Sequence, residues 1–174
     1  MHNDSAFRLK RPEEPLPSKA DFDPFGGNLD ARCAWKHFGG LSIQQAYELF
    51  MTNTLHYQED FMWMGSKAFE YYLPVIDRYL HEVLGDEWDD TEAAILGCGV
   101  ALQFDWNDAD LSRGTVAELE ELSVFVRSNL DRFSPLPKEQ RRIDRRWKVV
   151  DLKITSYRNK SEKDTATDAD KQRR

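Results

Sequence analysis

The spacing of hydrophobic residues predicts that this chain folds into helices. The clearest pattern runs from residue 67 to 84, where apolar side chains recur at intervals of three and four and so share one helical face. These side chains are Phe69, Tyr72, Ile76, Leu80 and Val83. Pro74 lies within the run and has no N–H to donate, so we expect a break or kink there. Because 11 of the 21 aromatic residues lie between Trp35 and Tyr79, we expect the core to be centred on this helix.

Two shorter helices are predicted before it. Asn28 is a suitable N-cap for a helix that turns Leu29, Cys33 and Phe38 inward and ends at Gly39-Gly40. The sequence Ser42-Ile-Gln-Gln45 then has the form of a capping box. It opens a second helix with Ile43, Ala46, Tyr47 and Phe50 facing the core.

The segment from Thr91 to about Trp106 is apolar on all sides, which is typical of a fully buried helix. Gly97 and Gly99 each cost about 1 kcal/mol relative to alanine inside a helix, and close contact with a neighbouring helix would compensate for them. A buried strand is the alternative. We favour a helix because the apolar run is long for a strand.

Two further helices complete the pattern. A second capping box, Thr115-Val-Ala-Glu118, precedes a stripe of Leu119, Leu122, Val126, Leu130 and Phe133. After Ser134-Pro-Leu-Pro137, a last helix is expected from about Lys138 to Tyr157. It turns Ile143, Trp147, Val150 and Ile154 inward and directs Arg141, Arg145 and Lys148 away from the core.

These elements predict a single compact all-α domain of about six or seven helices over residues 28 to 158. Residues 1 to 27 hold four of the seven prolines and no helical period, so we expect a flexible arm that docks through Phe22 and Phe25. Residues 159 to 174 contain no apolar residue larger than alanine, and we expect a disordered tail.

Composition agrees with a folded globular protein, since 40% of the residues are hydrophobic. Cys33 and Cys98 lie in apolar helical patterns without any metal-binding spacing, so we expect two small buried side chains. The N-terminus has no apolar signal region, and the longest uncharged run is too short to cross a membrane. These features predict a cytoplasmic protein.

Charge is distributed unevenly along the chain. The net charge is −7, but residues 138 to 174 hold 13 basic and 7 acidic residues, so the first 137 residues hold 11 basic and 24 acidic ones, a net of −13. Five carboxylates occur within seven residues: Asp86, Glu87, Asp89, Asp90 and Glu92. We predict that this acidic run binds a basic protein partner through its electrostatic field. A solvated helix start is the simpler alternative.

Candidate chemistry is limited to one histidine with two carboxylates. His56, Glu59 and Asp60 would share a helical face and could bind a metal ion or exchange protons, with His37 or His81 nearby. A metal-dependent enzyme is therefore one alternative function. The sequence has no nucleotide-binding glycine motif and no hydrolase nucleophile motif, and we expect no cofactor.

The basic helix at residues 138 to 153 raises a second alternative, nucleic-acid binding. Trp147 belongs to its apolar stripe, so we expect it in the core and not on a base-stacking surface. The acidic body would also repel phosphates, and we do not expect a nucleic-acid partner.

One resemblance bears on function. The segment Ala68-Phe-Glu-Tyr-Tyr-Leu-Pro74, preceded by Phe38-Gly-Gly-Leu-Ser42, resembles the Phe-x-Tyr-Tyr-Leu-Pro segment of small uncharacterised bacterial all-helical domains. Proteins of similar size and acidity often act as immunity or antitoxin proteins in bacterial competition. The resemblance carries no active-site residue. It implies a non-enzymatic cytosolic binding module that neutralises a protein partner, such as a basic toxin or enzyme.

Overall fold

The computed structural model describes residues 15 to 84, 91 to 106 and 109 to 171, with the side chains of residue 91 and of residues 162 to 171 left out. All regular structure in these ranges is helical, which confirms the predicted all-α class. In chain order the helices are α1 (Lys19–Phe22), α2 (Leu29–Phe38), α3 (Ile43–Thr52), α4 (Thr54–Tyr57), α5 (Asp60–Trp63), α6 (Ser66–Glu82), α7 (Thr91–Gln103), α8 (Arg113–Ser128), α9 (Leu130–Phe133) and α10 (Pro137–Lys171).

Helix α6 is the centre of an N-terminal half formed by α1 to α6. Phe69, Tyr72, Ile76 and Leu80 of the predicted stripe are buried, and the Tyr72 hydroxyl donates to the carbonyl oxygens of Phe38 and Leu41 at 2.5 and 2.9 Å. The break expected at Pro74 is absent, because α6 continues through that residue. A proline removes a single intrahelical hydrogen bond, and the buried side chains on both sides of it hold the helix together.

Helix α7 packs between this half and a C-terminal half formed by α8, α9 and α10. The predicted helix is confirmed, and so is the close packing at its glycines. A Cβ on Gly97 would lie 3.0 Å from Trp147 Nε1 of α10, and one on Gly99 would lie 3.0 Å from Met62 Cγ of α5. The two glycines thus allow α10 and α5 to pack closely against α7.

The C-terminal half is built on the pairing of α8 with α10. The inward stripe of α10 is confirmed, since Ile143, Trp147, Val150 and Ile154 are all buried. Thr115 does not cap α8, however. The helix begins two residues earlier, and Ser112 is the N-cap whose side chain accepts from the Thr115 N–H. Thr115 is buried in the first turn, where packing determines its place.

The N-terminal segment differs from the prediction. Phe22 is fully buried, but Phe25 is exposed, so only one of the two expected docking residues enters the core. The Pro17 side chain is also buried, and the packed region therefore begins before Asn28.

Helix α2 is rotated relative to the expected face. The Asn28 cap is confirmed, with its side chain accepting from the N–H groups of Asp30 and Ala31. Leu29 and Cys33 are nevertheless exposed, and Cys98 of α7 is half-buried, so neither cysteine is a fully buried side chain. The small residues Ala31 and Ala34 face the core instead, together with Phe38. Small side chains allow the helix axis to approach the aromatic core more closely.

Helix α10 continues beyond Tyr157, where we expect the last helix to end, as far as Lys171. Residues 158 to 161 are exposed, so the helix continues past Tyr157 without burying these side chains. Extending an anchored helix adds one hydrogen bond for each residue fixed, which accounts for the longer element. None of the helices in the described ranges combines the length and the apolar character required to cross a membrane.

Candidate functional site

Helices α2 and α5 bring a histidine and a carboxylate together. His37 lies in the last turn of α2 and Asp60 in the first turn of α5, and His37 Nδ1 lies 2.7 Å from Asp60 Oδ2. Asp60 is almost completely buried, whereas the His37 side chain remains partly exposed. A proton on Nδ1 that is donated to the carboxylate would leave Nε2 of His37 as the acceptor nitrogen of a neutral ring.

Aromatic rings surround this pair. The ring centroid of His37 lies 5.2 Å from that of His56 and 5.2 Å from that of Tyr57. His56 and Tyr57 also contact each other edge to face, with centroids 4.8 Å apart. The cluster therefore contains two imidazoles and one buried carboxylate where α2, α4 and α5 meet.

Burial dominates the electrostatics of Asp60. It raises the pKa of this carboxyl group above its ordinary value, while the hydrogen bond from His37 and the charges of His37 and His56 act in the opposite direction without cancelling it. The nearby charge of Glu59 raises the pKa further. The cluster thus holds a carboxyl group that retains its proton to higher pH than an exposed aspartate would.

The structure does not assemble the metal site expected from His56, Glu59 and Asp60. In the described ranges, no group of three or more His, Cys, Asp or Glu side chains is arranged to hold a metal ion. Asp60 uses His37 as its partner, and Glu59 is exposed. His81 lies elsewhere, on α6, where its ring stacks on Phe125 at a centroid distance of 3.8 Å. What remains is a His–Asp pair whose simplest chemistry is proton exchange.

The acidic run falls mostly outside the described residues, which omit Asp86, Glu87, Asp89 and Asp90. Its last member, Glu92, is only 3% exposed and accepts a hydrogen bond of 2.9 Å from Thr54 Oγ1. Glu92 is therefore not a surface charge, which corrects its inclusion among the partner-binding residues. Sequence could not show this, because Thr54 lies 38 positions away in the chain.

Exposed apolar side chains occur in the sequence segments next to this hydrogen bond and before the acidic run. Thr54 begins α4, next to Leu55 and three residues after Met51. Leu55 is 54% and Met51 49% exposed, and Leu84, the last residue described before the acidic run, is 72% exposed. Three large apolar side chains are thus exposed to solvent on these segments.

The outer face of α10 carries the basic residues predicted for it. Arg141, Arg145 and Lys148 are exposed, and Lys148 pairs with Asp144 at 2.6 Å, whereas no ion pair is found for Arg141 or Arg145 in the described part of the chain. Trp147 is fully buried and donates its indole N–H to the carbonyl of Ala93 at 2.8 Å. Trp147 is thus a core residue, as expected, and offers no base-stacking surface.

A cavity not anticipated from the sequence opens beside α1. It is lined by α1 and the turn after it, by the junction of α5 and α6, and by Trp106 and Asp110. Its position depends on contacts between segments about 40 to 80 residues apart in the chain, which local sequence patterns do not report.

Comparison with known proteins identifies no relative. No family model matches the chain, and neither a curated protein nor a solved structure does. The geometry of the chain itself is thus the basis for assigning a function.

Proposed function

We propose that this protein is a non-enzymatic binding protein that captures a basic protein partner. The proposed surface combines the acidic run, namely Asp86, Glu87, Asp89 and Asp90, with the exposed apolar side chains of Met51, Leu55 and Leu84. The observation that carries the proposal is the hydrogen bond between Thr54 and Glu92. It fixes the start of α7 against the start of α4, where the apolar side chains lie.

Covalent geometry adds to this argument. Asp90 is two residues before Glu92, and two residues of chain span at most about 7 Å. Asp86 is likewise two residues after Leu84. The acidic run therefore begins next to one exposed leucine and ends next to the element that carries another. Apolar anchors with a charged rim are characteristic of protein interfaces.

The charge of the chain favours a basic partner. The first 137 residues carry a net of −13, and the run concentrates four carboxylates within five positions. Such a field accelerates association with a positively charged surface and weakens as salt is added. An immunity-type protein that neutralises a basic toxin would have these properties, and that identity of the partner stays a prediction.

The test begins with affinity capture and chemical cross-linking in the source cell, using the full chain as bait. The bait is compared with a triple variant, Asp86→Asn, Glu87→Gln and Asp90→Asn, and with Leu55→Ser. We expect a basic protein to be captured by the wild type and depleted with both variants. The association rate of that protein should fall roughly tenfold in the triple variant at low salt, and less at moderate salt.

A matched control removes three negative charges elsewhere. Asp30→Asn, Glu121→Gln and Asp131→Asn change exposed residues on α2, α8 and α9 and should leave capture unchanged. Equal loss in the control would mean that net charge alone governs binding. Unchanged association kinetics in the triple variant at both salt concentrations would refute the proposed surface.

A further inference from the structure

The cavity beside α1 has the size of a small-molecule site. Its volume is about 440 Å³, within the range of roughly 300 to 1,000 Å³ that is usual for ligand pockets. It lies at the meeting point of three segments, which are the turn between α1 and α2, the junction of α5 and α6, and the residues after α7. Nothing in the proposed protein-binding surface accounts for it.

Backbone contacts fix the shape of this cavity. The N–H of Gly65 donates to the carbonyl of Phe22 at 3.0 Å, which holds α1 against the start of α6. A Cβ on Gly65 would lie 2.4 Å from the carbonyl oxygen of Asp21 and 2.9 Å from Pro24 Cδ, so this approach requires glycine. Gly26 adopts a φ of +73° in the turn that follows, a backbone conformation that residues other than glycine rarely adopt.

Aromatic side chains provide much of the apolar wall. The rings of Trp63 and Trp106 meet edge to face with centroids 5.9 Å apart, and both residues line the cavity. Phe25, also in the lining, is 65% exposed although it is a large apolar residue. A flat ring entering the cavity would gain contact with these three side chains.

One polar group in the lining has no partner. The indole nitrogen Nε1 of Trp106 is buried and makes no hydrogen bond in the described structure. A buried donor without an acceptor destabilises the fold, and most such groups in proteins are paired. A ligand oxygen that reached Nε1 would satisfy this N–H.

Charged residues around the cavity are predominantly negative. Asp21, Asp23 and Asp110 belong to the lining, whereas Lys67 is its only basic residue among those described. Asp21 lies 3.9 Å from Lys67, and Asp23 accepts from the N–H of Asn28. The exposed Asp110 has no hydrogen bond or ion pair through its side chain in the described residues. The excess of carboxylates favours a cationic ligand.

We propose that this cavity binds a small arylalkylamine that carries an oxygen on its ring. Its ring would pack against Trp63, Trp106 and Phe25, an oxygen on the ring would accept the indole N–H of Trp106, and its ammonium group would lie near Asp23 and Asp110. A cationic group next to tryptophan faces gains further from their quadrupoles.

The test is a titration monitored by ¹H–¹⁵N NMR, in which each of the chain's five tryptophans contributes one indole signal. The Trp106 signal is assigned by its loss in Trp106→Phe. Tyramine is the cationic probe, tyrosol its neutral analogue, and 4-hydroxyphenylacetate its anionic analogue. We expect tyramine to shift the Trp106 indole signal in a saturable manner. Tyrosol should bind roughly fivefold more weakly, as expected when one exposed ion pair is lost, and 4-hydroxyphenylacetate more weakly still.

Variants separate the roles of charge and hydrogen bond. Asp110→Asn should weaken the binding of tyramine and leave the binding of tyrosol unchanged. Asp131→Asn changes an exposed residue on α9 and should affect the binding of neither probe. Phenethylamine lacks the ring oxygen and should bind wild type more weakly than tyramine does. Trp106→Phe, with binding followed through the indole signal of Trp63 in the same lining, should abolish that difference.

Two results would overturn the proposal. One is the absence of any saturable shift of the Trp106 signal with tyramine. The other is an affinity for 4-hydroxyphenylacetate equal to that for tyramine. Neither result affects the proposed protein-binding surface, which lies on different residues and is tested with different variants.

Discussion

Two aspartates, Asp60 in the N-terminal half and Asp144 in the C-terminal half, can be compared directly. Each carboxyl group is at least partly buried, and each contacts a basic side chain. Asp60 is almost completely buried and has one such hydrogen-bond partner, His37. Asp144 is a quarter exposed and accepts from Arg127 at 3.1 Å and from Lys148 at 2.6 Å. The shifts of the two pKa values have opposite signs.

The difference shows how burial and pairing compete. Burial is the largest single influence on each carboxyl group and raises its pKa. For Asp60 it prevails, because one imidazole does not replace the lost water. For Asp144 the hydrogen bonds and charges of Lys148 and Arg127 together outweigh it, so the pKa falls. Ionised Asp60 therefore destabilises the folded state, whereas ionised Asp144 stabilises it.

The largest expected effect tests whether the halves unfold together. Leu80 of α6 and Leu122 of α8 are both buried, and replacing either with alanine should cost about 2 to 5 kcal/mol through the cavity left behind. Because α7 contacts both halves, we expect a single transition in each variant, measured by chemical denaturation with far-UV and tryptophan signals. Leu152→Ala on the exposed face of α10 is the control and should change stability little. Non-coincident signals would show that the halves are separate units.

A smaller effect is expected at the link between α7 and the N-terminal half. The buried Gln103 side chain donates from Nε2 to the carbonyl oxygens of Phe61, Met62 and Met64, at 2.7, 3.3 and 3.1 Å. Gln103→Leu leaves these carbonyls without that donor and should cost about 1 to 3 kcal/mol. Gln44→Leu, on the exposed face of α3, should cost less. Equal losses would mean that the amide contributes nothing specific.

The pH dependence of Asp60→Asn tests whether burial raises the pKa of Asp60 in the folded protein. A raised pKa means that the folded state binds the proton more tightly than the unfolded chain, whose aspartates titrate near 3.9. The stability contributed by Asp60 is therefore fully present below about pH 3.9 and is lost as pH rises through the folded pKa. We expect the variant to gain stability relative to wild type between about pH 3 and 6, measured by urea unfolding. If Asp60→Asn instead lost stability relative to wild type as the pH rises, the folded state would lower the pKa of Asp60 and the argument from burial would be wrong.

Asp144→Asn should show the opposite trend with a smaller amplitude. A lowered pKa gives stability that is present above the unfolded value of about 3.9 and is lost as pH falls through the folded pKa. The group is partly exposed, so solvent screening limits the effect to under about 1 kcal/mol. The free energy of unfolding of the wild type should exceed that of the variant at pH 6, and the two values should converge near pH 2. A constant difference across this range would show that packing, and not charge, distinguishes them.

Local patterns in the sequence predicted most of the helices for identifiable physical reasons. The Asn28 cap and the Ser42-Gln45 capping box depend on hydrogen bonds spanning three residues, and both are present. The stripes of α6 and α10 follow from helical periodicity, and their inward residues are buried except Val83, which lies just beyond the end of α6 and is only partly buried. Interactions of this range are encoded by neighbours in the chain.

The candidate site was predicted less completely. His56 and Asp60 do belong to one cluster, but His37, 23 residues before Asp60, is the group that binds the carboxylate. Glu92, which the sequence places in an acidic run, is buried and accepts a hydrogen bond from Thr54. The cavity at Trp106 has no local signature at all. Each of these features depends on a partner contributed by a distant segment.

What the sequence determined by itself is the helical class, most helix positions and the concentration of negative charge in the first 137 residues, because composition and short-range periodicity carry that information. Tertiary structure decided which face of α2 is buried, that α6 continues through Pro74, and that Ser112 caps α8 in place of Thr115. It also decided the sign of the pKa shift at Asp60. In each case the balance between water and protein contacts is set by neighbours that only the folded chain brings together.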